Sequence, residues 1–197
     1  LLVHGQTHVE QIRQDPHLYE IASLAVGGAI RASEIALAGE PAFGLIRPPG
    51  HHASPNSCWG FCYFNNIAIA IRRLIHARKI RKALIVDFDL HFGDGTSNTF
   101  AGDRSVSYHH MGPGPRELES FLSATGDFDI LGDSAGFDRG IADWGGTLSD
   151  EDYEEIGKLL KRFSEERAQG RRFAVLEGRY NHKTLGLSIL SFLKGLE

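Results

Sequence analysis

Cysteine is nearly absent: Cys58 and Cys62, within Cys-Trp-Gly-Phe-Cys, are the only two in 197 residues. A pair so close cannot staple a small secreted scaffold. A closed zinc site needs four ligands, and the nearby loops supply none in ribbon spacing. Two packed thiols are the expectation. Long hydrophobic runs are missing too. No apolar stretch approaches the ~20 residues needed to cross a bilayer, and Leu1 to Glu10 has neither the basic start nor the apolar segment of a secretory signal. A cytoplasmic protein without membrane attachment is therefore expected. Nor is there an excess of positive charge. The 21 Lys and Arg against 25 Asp and Glu leave a net charge of −4, which gives no footprint for nucleic acid and mildly favours a cationic substrate. Arg72, Arg73, Arg78, Lys79, Arg81 and Lys82 lack interleaved aromatics and read as the solvated face and end of a helix. Internal repeats and low-complexity linkers are absent. What remains is an ordinary globular composition, 42% hydrophobic and 23% charged, long enough for one domain over residues 1–197 with a substantial core.

Apolar spacing divides the chain into alternating elements. Thr7 with Glu10 resembles a capping box opening a short helix. Tyr19 to Leu37 has the apolar face of a longer helix, weakened by Gly27 and Gly28, and Ala42 to Ile46 reads as a strand ended by Arg47-Pro48-Pro49-Gly50. Asn66 to Ala77 is helical in period, and Ala83 to Val86 is apolar throughout, as a strand covered on both faces would be. Ser105 to Tyr108 is a shorter strand candidate, Phe128 to Ser134 a poor one and Phe173 to Leu176 a good one. Ser149 with Asp152 caps a helix reaching about Arg167, and Leu185 to Leu196 forms the last helix. This order predicts an α/β fold with a mainly parallel sheet.

Four polar segments directly follow strand candidates: Gly50-His51-His52, Asp87 to Gly95, Gly136-Phe137-Asp138 and Glu177 to Asn181. Sites in open parallel sheets form beyond the carboxyl ends of the strands, so these segments should converge. In extended chain a period of two places Asp87, Asp89 and His91 on one side. Three ionisable groups at a sheet end call for a cation, and two carboxylates with one imidazole describe a catalytic zinc site: Asp89, His91 and Asp138. His51 and His52, on stiff backbone after Pro48-Pro49-Gly50, suit proton transfer. Asp87 and Asp94 can orient the two imidazoles, and the Tyr180 hydroxyl can stabilise an oxyanion.

These pieces, in this order, resemble the histone deacetylase superfamily, which includes the acetylpolyamine and acetoin-utilisation deacetylases. The matching segments are Arg47 to Ala53, Gly60-Phe61-Cys62-Tyr63-Phe64-Asn65-Asn66, Asp87 to Thr96, Ser134 to Asp138 and Leu176-Glu177-Gly178-Arg179-Tyr180-Asn181. The resemblance implies an arginase-deacetylase-like three-layer α/β/α fold and zinc held by Asp89, His91 and Asp138. It pairs His51 with Asp87 and His52 with Asp94, His52 being the general base, and gives Tyr180 the place of the catalytic tyrosine. Gly60 and Phe61 would line the acyl channel. A structural potassium held partly by the backbone carbonyls of Asp87, Asp89 and His91 is also implied.

The implied activity is hydrolysis of acetyl or other acyl groups from lysine, polyamine or related amines through a metal-activated water. A second reading is a catalytically impaired relative that binds acylated ligands or partners. Ureohydrolases that share the fold rank behind both, because their string is Asp-x-His-x-Asp rather than Asp-x-Asp-x-His. Three departures from the family bear on the choice. The first strand expected of the family is missing at the amino-terminal side, the interval around 108–134 is shortened, and Arg179 stands where a glycine is usual. A side chain at 179 is expected to disturb the tyrosine turn, and Asp133 is expected to weaken the strand that presents Asp138.

Overall fold

Residues 16–197 are described by a computed structural model of the chain; the capping box expected at Thr7 and Glu10 lies outside them. The apolar runs become five short strands: β1 (Ala42–Gly44), β2 (Ala83–Asp87), β3 (Val106–His110), β4 (Ile130–Ala135) and β5 (Arg172–Leu176). All pair in parallel, in the order β1-β5-β4-β2-β3. Successive side chains along a strand face opposite sides, and each side has its own core. Leu84, Val86, Ala174 and Leu176 look to one, and Ala83, Ile85, Phe173 and Val175 to the other.

Helices cover both faces, as an all-parallel sheet requires. On one side lie α1 (Pro16–Leu37), whose Ala29, Ala32 and Ala36 reach the sheet, and α2 (Asn66–His76), with Ile67, Ile71 and Leu74. On the other lie α5 (Asp150–Arg167) and α6 (His182–Leu196), which contribute Tyr153, Ile156, Leu160, Phe192 and Leu196. The result is the three-layer α/β/α arrangement expected. The Ser149–Asp152 capping box forms in full at the start of α5. Gly28 does not break α1; a side chain there would meet Ile46 Cγ2 at 2.6 Å, so the small residue lets the helix lie close to the strand.

Two short helices have no counterpart in the apolar spacing: α3 (Asp94–Thr99), which is polar throughout, and α4 (Pro115–Ala124), which buries only Leu118 and Leu122. The interval around 108–134 thus holds a connection in which α4 carries the chain from β3 to β4. The strand expected to be poor is central and fully buried, paired on both sides by backbone bonds that side-chain preference does not supply. Asp133 is enclosed within it, neither carboxylate oxygen has a hydrogen-bond partner, and burial pushes its pKa well above the ordinary carboxyl range.

Candidate metal centre and active site

The loops after β1, β5, β4 and β2, adjacent in the sheet, meet at its carboxyl end as the sequence predicted. Asp87 ends β2 and Asp89 follows in the loop, both completely buried, while Phe88 between them enters the α5–α6 core. Nδ1 of His91 lies 3.2 Å from Asp89 Oδ1 and 2.9 Å from Asp138 Oδ2. One donor atom from each of the three residues falls within 4.8 Å of the others. Asp89 Oδ2 accepts from Gly178 N at 2.7 Å, and Asp138 Oδ1 accepts from Leu90 N at 2.9 Å. Asp138 Oδ2 is buried, and its polar neighbour is His91 Nδ1 at 2.9 Å, which it meets without the angle of a hydrogen bond.

Charge in this cluster is frustrated. Burial and the adjacent Asp89 carboxylate push the Asp138 pKa up to about 7. Asp89 is opposed by the same burial, yet His51 and the bonds from His91 and Gly178 hold it below the carboxylate range. Two acids around one imidazole, with an acid oxygen left over, form a donor set that a divalent cation would satisfy. The approach depends on two glycines, since a Cβ on Gly136 would stand 2.2 Å, and one on Gly178 2.5 Å, from Asp89 Oδ2.

Beside this cluster, the two histidines are held as the sequence implied. His51 Nδ1 is 3.1 Å from Asp87 Oδ2, and His52 Nδ1 is 2.7 Å from Asp94 Oδ1. Their rings are 4.0 Å apart, and their electrostatics diverge. Burial opposes charge on His51, but Asp87, Asp89 and Glu177 outweigh it and raise the pKa well above the ordinary imidazole value. For His52, burial and the His51 charge together lower the pKa. Tyr180 is half-buried, its ring 6.3 Å from that of His91 and stacked at 3.5 Å on Trp144. Burial, with Asp138 and Asp89, pushes its pKa up to about 12.

Gly60 adopts φ 61°, and a Cβ there would be 2.5 Å from the His52 ring; Phe61 follows, about half exposed. Gly60 thus borders His52. Cys58 and Cys62 are free thiols, and burial pushes Cys62 well up. Although Cys62, His51 and Glu177 bring donor atoms together, Glu177 already accepts from Gly50 N, His51 N and Ser134 Oγ at 2.7, 3.1 and 3.3 Å. Cys62 Sγ points to Gly60 O at 3.6 Å, so a packed thiol, not a ligand, is what the geometry favours. The Glu177 carboxylate fixes the histidine loop.

Several partners escaped the sequence reading. Tyr108 donates to Asp87 Oδ2 at 2.9 Å, and Trp59 donates to Asp94 Oδ2 at 2.8 Å while lying 4.0 Å from the His52 ring. Asp143 Oδ2 accepts from Tyr180 N and Asn181 N at 3.1 and 2.8 Å and pairs with Arg179 Nε at 3.0 Å. Aromatic residues beside the motif histidines, and Asp143-Trp144-Gly145-Gly146 soon after Asp138, were the available signals. The expectation for Arg179 needs correction. Its backbone does not take a positive φ, and its side chain is buried away from the turn against Asp143, Thr184 and the carbonyl of Asn181. It clasps the tyrosine segment rather than straining it. Of the carbonyls expected to hold potassium, Asp87 O accepts from Met111 N at 2.8 Å and Asp89 O from Arg139 Nε at 3.1 Å.

Residues 3–115 match the family of the histone deacetylase domain. A probable deacetylase of Methanothermobacter thermautotrophicus is 32% identical over 257 aligned positions, which cover 100% of this chain and 75% of the relative. That span exceeds the chain's length, so the relative carries segments that this chain lacks. Histone deacetylase 18 of Arabidopsis thaliana is 31% identical, with 90% of this chain and 33% of the plant protein covered. Among solved structures, the HDA15 HD domain superposes with a TM-score of 0.75 at 25% identity, over 89% of this chain and 62% of that one.

Proposed function

This chain belongs to the histone deacetylase family, and from that premise we propose that it is a zinc-dependent amidohydrolase that removes acetyl or related acyl groups from lysine, polyamine or similar amines. The observation that carries the reading is the convergence of buried donor atoms from Asp89, His91 and Asp138, beside two histidines each held by its own aspartate. We assign Asp89, His91 and Asp138 as the zinc ligands. The chemistry supplied at such a site is polarisation of the acyl carbonyl and acidification of a water molecule.

The chain's own residues then divide the proton work. Asp94 holds the proton on Nδ1 of His52, which leaves Nε2 as the acceptor, and the lowered pKa keeps that ring neutral. His52 is accordingly the general base toward water. His51, whose charge is stabilised by Asp87, is the electrostatic partner and the acid for the departing amine. The Tyr180 hydroxyl remains protonated at neutral pH and donates to the developing oxyanion. Gly60, Trp59 and Trp144 lie against His52 and His91, and with Phe61 they are assigned to the aliphatic part of the acyl-amine substrate. The test is turnover of acetyl-lysine peptides and acetylated polyamines after zinc is added. The reading expects hydrolysis that His52→Ala abolishes while zinc stays bound. Binding of acylated ligands without any turnover would instead favour the impaired-relative alternative.

A further inference from the structure

Beneath the ligand loop lies a positive charge that the reaction does not use. Arg139 immediately follows the proposed ligand Asp138 and is 8% exposed. Its Nε donates to Asp89 O at 3.1 Å, Nη1 to Gly112 O at 2.9 Å, and Nη2 to Met111 O at 2.8 Å, with His110 Nε2 3.1 Å from Nη2. A guanidinium has five N–H donors and no acceptor, so four of the five are spent here. The acceptors are three main-chain carbonyls and one imidazole, and burial followed by Arg139 lowers the pKa of that His110. Neutral oxygens around a buried positive charge are surroundings that an alkali cation can also take in a protein, and among the described residues no carboxylate pairs with this guanidinium.

The neighbourhood also disagrees with the potassium that the family resemblance implies. Asp89 O points at the guanidinium, and Asp87 O already accepts from Met111 N. A second cation on the same carbonyls would face the fixed charge of Arg139 in a buried setting, where like charges repel strongly. The Asp89 carbonyl, taken by a charged donor, does not fit a further ion.

We propose that Arg139 is a positioning residue whose guanidinium is the built-in cation of the ligand loop, replacing a bound monovalent ion. It ties the carbonyl of Asp89 to the Met111–Gly112 segment that follows β3. That bond fixes the backbone from which the Asp89 and His91 side chains project. Through His110, whose Nδ1 is 4.0 Å from Asp87 Oδ1, it also borders the carboxylate that orients His51. The inference rests on the metal assignment above only for its zinc readout.

The experiment compares the parent with Arg139→Met and Arg139→Lys in potassium chloride and in tetramethylammonium chloride at equal ionic strength. Thermal midpoint and zinc affinity are measured for each. The parent should show the same midpoint in both salts and zinc affinities within about twofold. Arg139→Met should lose about 10- to 100-fold in zinc affinity, the range for residues that orient metal ligands, and should regain part of it in potassium alone. Arg139→Lys, which keeps the charge, should stay indifferent to the salt.

A parent whose midpoint rises by several degrees, or whose zinc affinity rises tenfold, in potassium would overturn the proposal. So would an Arg139→Met protein that binds zinc as tightly as the parent. Loss in Arg139→Met that potassium does not relieve would assign Arg139 a role of shape rather than charge, against the proposal. If Arg139→Met fails to fold, the parent and Arg139→Lys still decide the matter. If the parent binds no zinc, the deacetylase reading fails, and the salt dependence of the midpoint judges Arg139 by itself.

Discussion

Replacing Arg179 by glycine, the residue usual in the family at that position, should weaken this protein rather than improve it. The Arg179 side chain is 1% exposed and pairs at 3.0 Å with Asp143, whose side chain is wholly enclosed. It also donates to Asn181 O at 2.9 Å and to Thr184 Oγ1. Removing one partner of a buried pair costs about 3–5 kcal/mol. Asp143 keeps three main-chain donors, from Trp144, Tyr180 and Asn181, which places the expected loss at the lower end, about 3 kcal/mol. At roughly 2–4 °C per kcal/mol for a chain of this size, the melting midpoint should fall by about 6–12 °C. The Tyr180 segment loses its clasp as well, so turnover should drop toward that of a protein lacking the hydroxyl. Differential scanning calorimetry and single-substrate kinetics on Arg179→Gly, Asp143→Asn and the double variant would read both effects. The double variant should cost less than the sum of the singles, because the pair is broken once. An Arg179→Gly protein that is as stable as the parent and faster would refute the clasp and restore the strained-turn expectation.

Tyr180→Phe should cost about 10²- to 10³-fold in kcat with little change in substrate binding, because one preorganised donor is lost; unchanged kcat would leave the hydroxyl without a part. Gly178→Ala should weaken zinc binding measurably in a competitive chelator titration, since the added Cβ would lie 2.5 Å from Asp89 Oδ2 and 3.0 Å from Asp138 Oδ2. Asp133→Val should stabilise the fold by about 1–3 kcal/mol, the cost of an unsatisfied buried polar group. Its folded pKa lies above the unfolded value, so the protonated acid is tolerated in acid, and the parent loses stability as pH rises through the raised pKa. The gain from valine should therefore grow with pH in chemical denaturation, and a gain independent of pH would contradict a protonated Asp133.

The site was legible where chemistry is written locally. Alternation from Asp87 to His91 put two acids and an imidazole on one side, and strand ends in a parallel sheet told where Asp138, His51 and Tyr180 had to meet them. Illegible were the residues whose role is set by distant backbone. Arg139 shows only as a cation after Asp138, because its partners at 89, 111 and 112 are main-chain carbonyls. Asp143 likewise acts on the backbone of Tyr180 and Asn181 across 37 and 38 residues. The helix α4 was missed because its buried residues are only two in ten. Arg179 was misread because a family's glycine suggested a steric demand that the observed backbone does not make. Asp133 was read correctly as a misfit, but β4 withstands it through pairing on both edges.

A single catalytic zinc held by three side chains is tested by measuring metal stoichiometry together with activity. The purified protein, stripped with chelator and titrated with zinc, should bind one ion per chain and gain hydrolysis of an acetyl-lysine peptide over the same titration. In Asp138→Ala both the tight ion and the activity should vanish, since three ligands leave none to spare. Two tightly bound ions in the parent, or one ion retained in Asp138→Ala, would contradict the account.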